Sequence, residues 1–237
     1  LESRGVASIT NVMLLHPYST SASIESSLDV LAALPAGVFE ATQMQVYHGT
    51  RLQQMLAEEG RLLGNPLRYG YRIDDPTVAR FGEILTRLRA EAFHDYSVAY
   101  STHDVWLELA LLKRLEPRSS RFAELERRIQ RLANDVNELH VRALRRGLDM
   151  ARAGDGWTRS GSLIAESSRE ASLLHQRLAR MVEELASAEP ETFASKLFRP
   201  LRSAATTALQ VMMVSSLSMA GCYDHRERPI DPDADSA

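Results

Sequence analysis

The chain has 237 residues, 44% of them apolar and 25% charged, with a mean hydropathy of −0.24. General disorder, collagen-like repetition and a polytopic membrane protein are excluded. Twenty-eight Lys and Arg against 31 Asp and Glu leave a net charge of −3, with no global basic excess to draw in nucleic acid. The single cysteine, Cys222, excludes an internal disulfide, a thiolate zinc site or a cysteine-held cluster. Leu1-Glu2-Ser3-Arg4-Gly5 opens the chain with neither an initiator Met nor a signal peptide, and reads as a piece starting inside something larger.

Residues 1–73 have α/β character. Ile9 to Leu15 is a short apolar run ending at His16-Pro17, the pattern of a parallel strand buried on both faces. Hydroxyls between Ser19 and Ser23 can cap a helix carrying Ile24, Leu28 and Leu31, which Pro35-Ala36-Gly37 stops. Thr42 to Tyr47 alternates at period two and predicts a second strand. His48-Gly49 then turns the chain, and Thr50 caps a helix with Leu52, Met55 and Leu56, closed by Gly60. Strand, helix, strand, helix predicts parallel strands joined right-handedly.

From Asp74 the period is helical. Asp75-Pro76 is a capped start, followed by Val78, Phe81, Leu85, Leu88 and Ala92. Trp106, Leu109 and Leu112 mark another helix. A longer one runs through Phe122, Leu125, Ile129, Leu132, Val136, Leu139 and Ala143. After Gly154-Asp155-Gly156, a last amphipathic helix carries Ala171, Leu174, Leu178, Met181 and Leu185. These stripes read as bundle core. The division expected is 1–73, a helical domain over 74–190, an apolar tail helix over 191–223, and a disordered Asp/Pro-rich tail over 224–237. Residues 203–223 carry no charge, but seven of them are Ser, Thr or Gln. That makes a weak membrane span, read either as a docked or frayed helix or as a membrane-surface contact.

Two stretches decide the reading of the first part: Asn11-Val12-Met13-Leu14-Leu15-His16-Pro17-Tyr18-Ser19-Thr20 and Gln43-Met44-Gln45-Val46-Tyr47-His48-Gly49-Thr50-Arg51-Leu52. Glu58-Glu59-Gly60-Arg61-Leu62 follows them. Over residues 1–65 this resembles the end of a radical SAM catalytic barrel, especially of members with a cobalamin-binding domain ahead of the barrel. In that family a strand runs into a Pro and a Thr-capped helix. The next closes with a Tyr-x-Gly-Thr-x-Leu turn and a helix ending in an acidic-Gly-Arg/Lys-Leu pattern. The resemblance implies an α/β part followed by an all-α part: the last two βα units of a partial (βα)6 barrel, then a helical domain. It implies S-adenosylmethionine and a [4Fe–4S] cluster as cofactors of the intact enzyme, cobalamin as an optional third, and a small-molecule or peptide substrate. The family's Cys-x3-Cys-x2-Cys motif is absent, so this chain ligates no cluster by itself and is inactive alone. The upstream remainder of the barrel is its expected partner, and nucleic acid is not.

By the same resemblance Leu15, His16 and Pro17 lie on the S-adenosylmethionine side, and the Tyr47-His48 turn lies at the mouth of the substrate cavity. Alternation independently puts Gln43, Gln45 and Tyr47 on one face of their strand and Met44 and Val46 on the other. Facing a barrel interior, the polar set needs a ligand, water or an internal network as partner. No metal site is expected. His94-Asp95 and His103-Asp104 are helix neighbours about 100° apart and cannot chelate jointly while helical. A loop or kink packing Tyr96 and Tyr100 is expected there instead. Arg127, Arg128, Arg131, Arg142, Arg145 and Arg146, interleaved with acids, read as a solvated face. The expected location is cytoplasmic, with weak membrane association through 203–223 as the alternative. The competing reading is a non-enzymatic helical interaction or membrane-docking module, and a third is another α/β enzyme.

Overall fold

The computed structural model describes residues 8–33, 38–93, 98–115 and 120–187. The described residues up to Glu184 belong to one compact unit; a second unit begins at Leu185. Strand β1 (Ile9–Leu15), helix α1 (Ser21–Ala33), strand β2 (Val38–Gln43) and helix α2 (Arg51–Glu58) come first. β1 and β2 are parallel, in register from Ile9 opposite Val38 to Leu15 opposite Gln43, with a shift between Met13 and Leu15. Thr20 and Ser23 cap α1 reciprocally, each side-chain oxygen accepting the other's backbone N–H at 3.1 and 3.0 Å. Ile24, Leu28 and Leu31 are buried as their spacing requires.

The partial barrel does not form. After α2 the chain makes an antiparallel hairpin, β3 (Leu62–Asn65) and β4 (Arg68–Tyr71), and the elements described after it are all helical. The described residues hold two sheets of two strands each, linked by one antiparallel bridge between Val46 and Tyr69. A barrel needs successive parallel strands to close on one another; here the strand after α2 pairs only with β4, antiparallel, and no further parallel strand occurs among the described residues. The second strand also falls earlier than the alternation suggested. Val38 and Phe39, both buried, begin the pairing with β1, and the chain leaves the ladder after Gln43.

Gly64 fixes the hairpin. Its φ is +81°, and a Cβ there would lie 2.2 Å from the Arg68 carbonyl oxygen. Asn65 completes the turn by accepting the Leu67 N–H at 3.0 Å. Gly64→Ala is therefore expected to lower the unfolding free energy by roughly 2 kcal/mol, from left-handed strain plus the clash. Urea denaturation checks this; an unchanged midpoint would mean the hairpin carries no such constraint.

Helix α3 (Pro76–Glu91) starts where the sequence places it, with Asp75 Oδ1 accepting from the N–H groups of Thr77 and Val78 at 2.8 and 3.2 Å. Helix α4 (Val98–Leu115) takes in Tyr100 and His103-Asp104, where a loop or kink was expected. Each turn of α4 buries one stripe (Val98, Thr102, Val105-Trp106, Leu109), and that periodicity holds the segment helical. Helix α5 (Ser120–Arg152) carries the long heptad stripe, every member of it buried. A 3-10 turn (Trp157–Arg159) leads into α6 (Gly161–Ser187), whose Ala171, Leu174, Leu178 and Met181 are buried.

The main core joins Leu14, Leu15 and Phe39 of the sheet to α1, α3, the second half of α5 and Leu163-Ile164 of α6. Burying each such side chain contributes about 1.5–3 kcal/mol. A smaller cluster of Val46, Leu56 and Tyr71, flanked by Leu52, Leu62, Tyr69 and Ile73, sits under the hairpin. No helix among the described residues is long and apolar enough to cross a membrane. His94 to Ser97, Cys222, the tail helix expected over 191–223 and the tail over 224–237 lie outside the described residues.

Candidate functional site

The turns that end β1 and α2 are built from local rules and meet in space. Helix α2 stops in a Schellman cap. Gly60, at φ +64°, donates to the Ala57 carbonyl at 3.0 Å, and Arg61 N–H donates to the Leu56 carbonyl at 2.8 Å. That geometry delivers the Arg61 side chain inward, where only 9% of it stays exposed. Its guanidinium donates to the carbonyls of Pro17 and Arg72, pairs with Glu59 at 3.3 Å and Asp74 at 3.2 Å, and lies 5.1 Å from the centre of the Tyr18 ring. Tyr18 in turn donates to Glu59 at 2.9 Å, a bond that raises the pKa of its phenol. One arginine thus ties the end of β1, the end of β4 and the start of α3 together.

The start of α2 is capped with equal economy. Thr50 Oγ1 donates to the Tyr47 carbonyl at 2.7 Å and accepts from Gln53 N–H at 3.3 Å. Gln53 reaches back to accept the Gly49 N–H at 3.3 Å.

Beside these turns lies a groove of about 440 Å³, lined by Gln43 at the end of β2 and Gln45, Tyr47 and His48 after it, by Arg68, Tyr69 and Tyr71 of the hairpin, and by Arg89 of α3. The structure brings the four residues expected at a substrate cavity together here. Alternation persists beyond the strand: Gln43, Gln45 and Tyr47 are exposed, while Val46 is buried. Tyr47 donates to Gln45 Oε1 at 2.7 Å, and the His48 ring stacks near Tyr69, with Nδ1 3.3 Å from the Tyr69 hydroxyl. Burial raises the Tyr71 pKa, and its hydroxyl donates to the Leu15 carbonyl at 3.3 Å. Arg89 is held by Glu40 at 3.3 Å, and Tyr100 donates to the same carboxylate. Among the described residues the Gln45 amide N–H groups and the Arg68 guanidinium donate to no partner, and with Tyr69 donating to Nδ1 the His48 Nε2–H is a further donor.

Leu15, His16 and Pro17 stand outside the groove lining. Leu15 is fully buried, and its carbonyl accepts from Met44 N–H at 2.7 Å as well as from Tyr71. The Pro17 carbonyl is taken by Arg61, and His16 Nδ1 accepts the Tyr18 N–H at 3.2 Å. These residues spend their polar groups on the turn. Arg68, Tyr69, Tyr71 and Arg89 were missed by the sequence reading; the Asn65-Pro66 turn signal before the Arg68-to-Tyr71 run could have found the first three. His103 Nδ1 lies 3.3 Å from its neighbour Asp104, and no group of three metal-ligating side chains occurs among the described residues.

A [4Fe–4S] cluster does not fit this chain, because it takes several thiolates and the sequence holds one. No family model, curated protein or solved structure matches the chain.

Proposed function

We propose that this chain forms the substrate-facing part of a radical SAM enzyme whose cluster-binding cysteines lie on other polypeptide, and that the groove between the end of β2 and the hairpin receives the substrate. One observation carries the reading: the three sequence stretches that resemble the family come to the carboxyl end of the β1–β2 pair. Pro17-Tyr18 meets Glu59 and Arg61 just past the carboxyl end of β1, and Tyr47-His48 of the remaining stretch lines the groove past the carboxyl end of β2. In α/β proteins that end of the sheet is where ligands bind.

The donor-rich lining suits a substrate rich in acceptors, a carboxylate-bearing small molecule or the carbonyls of a peptide. Gln45 and Tyr47 would orient it as a bonded pair, and Arg68 would meet negative charge. S-adenosylmethionine would supply the radical when bound with its cluster; this chain's own residues bind and orient.

The test uses the assembly that contains this chain. Tyr47→Phe removes the hydroxyl that fixes Gln45. It should cut product formation about tenfold, the worth of one lost hydrogen bond of about 1.4 kcal/mol, while 5′-deoxyadenosine is still released. Equal loss of both would remove the groove from substrate orientation. The rival reading, a helical interaction module, rests on the predominance of helix after residue 74 and expects no 5′-deoxyadenosine at all.

A further inference from the structure

Helices α5 and α6 run antiparallel, and their charges form a ladder. Arg128 pairs with Glu184, Asp135 with Arg177 and Arg142 with Glu170, so the rungs advance seven residues at a time along α5 and go back seven along α6. Arg146 with Glu166 at 2.7 Å continues it. On the other flank of α5, Arg145 pairs with Asp29 and Arg152 with Glu25, both at 2.7 Å. Most of the basic cluster is thereby neutralised by a matched carboxylate.

One rung breaks the rule. Between Arg128–Glu184 and Asp135–Arg177 the register sets Arg131 opposite Met181, with Arg180 next to it on α6, so two cations, Arg131 and Arg180, fall where a matched pair would be. Both line a cleft of about 320 Å³ with Arg128 and Arg177, over the buried Met181. Arg131 reaches Glu124 only at 3.5 Å, and Glu124 is held at 2.6 Å by Arg127. Arg180 makes no ion pair among the described residues. Two like charges lining one cleft destabilise the helix pair unless an anion lies between them. The cleft is roughly ten times the volume of one water, enough for a small polyatomic anion.

We propose that this cleft is a binding site for a phosphate-class oxyanion, either the free ion or the phosphoryl group of a small molecule, bridging Arg131 and Arg180. Guanidinium forks match tetrahedral oxyanions with paired N–H donors. The carboxylates of Glu124, Asp135 and Glu184 around the cleft confine the positive field to one spot and disfavour an extended polyanion.

The test is thermal unfolding of the full chain, with inorganic phosphate titrated against chloride at constant ionic strength. Phosphate is expected to raise Tm saturably. Arg180→Glu turns the rung into an opposite-charge pair; it should raise the phosphate-free Tm and weaken the phosphate response at least tenfold, the scale of one lost charge-assisted contact. Arg131→Gln should weaken it as well, and Arg145→Gln, on the α1 flank, should leave it intact. Phenyl phosphate run in parallel identifies the source: a stronger response than inorganic phosphate points to a phosphomonoester, a weaker one to the free ion. A response matching chloride, or one surviving Arg180→Glu undiminished, would overturn the site.

Discussion

Arg61→Met should lower the unfolding free energy by roughly 3 kcal/mol, a large loss for a polar position. Methionine keeps the length and apolar stem but removes five donors. The carbonyls of Pro17 and Arg72 then lose a buried partner, and Asp74 and Glu59 lose their shared cation. An acceptor left unpaired in a buried place costs about 1–3 kcal/mol; the Pro17 carbonyl is in such a place, and the part-buried Arg72 carbonyl adds a smaller share. Glu59→Gln is the contrast. It is a far more exposed partner, and an exposed ion pair contributes about 1 kcal/mol or less. Arg61→Lys should recover part of the loss, since one ammonium cannot reach carbonyls on two sides at once. Urea denaturation of the three variants gives the order. Equal effects for Arg61→Met and Glu59→Gln would show that the guanidinium does not tie the strand ends together.

The second large effect is a dependence on pH. His140 of α5 is buried between the rings of Phe39, 5.5 Å away edge-on, and Phe93, 4.1 Å away. Its Nε2 has no hydrogen-bond partner among the described residues. Burial lowers its pKa from 6.5 to about 4, against a smaller opposing influence from the Phe39 backbone. The folded state therefore favours the neutral ring. The stability this confers is fully present above pH 6.5 and drains away as pH falls toward 4, where the unfolded chain takes up a proton the folded one refuses. Between about pH 7 and about pH 4.5 the loss is roughly 2–3 kcal/mol. His140→Gln, neutral throughout, should be less stable than wild type at neutral pH through poorer packing, yet should lack this part of the acid slope. Parallel slopes for the two proteins would show that His140 titrates normally.

Much of the fold was legible because it rests on local chemistry. The Thr50 and Asp75 caps, the Gly60 stop and the heptad stripe of α5 each lie within a few residues of one another in sequence, and each is found where the pattern puts it. The barrel was not legible as an error. A βαβα run announces parallel pairing but says nothing of the next strand's direction, and here Gly64-Asn65-Pro66 turns the chain back on itself. α4 was misjudged because Tyr96 to Asp104 is rich in polar and aromatic residues, while the stripe that decides its conformation runs from Val98 to Leu109 beneath them.

In the candidate site, the face carrying Gln43, Gln45 and Tyr47 was readable from alternation. The hairpin residues opposite them were not, since a contact between Val46 and Tyr69 spans more sequence than any local pattern records. The same holds for Arg61. Its place in a resembling motif suggested a family trait, whereas its partners explain it as a fastener. The turn residues that carry the resemblance are thus fold determinants first, and what they build is the groove at the strand ends.

The most direct measurement is the release of 5′-deoxyadenosine from S-adenosylmethionine by the natural assembly containing this chain, purified and reconstituted without oxygen and given a strong one-electron reductant. On the proposed function, release is expected from the assembly, none from this chain alone, and continued release with diminished product in Tyr47→Phe. An assembly with a full complement of iron and sulfide that releases none would contradict it.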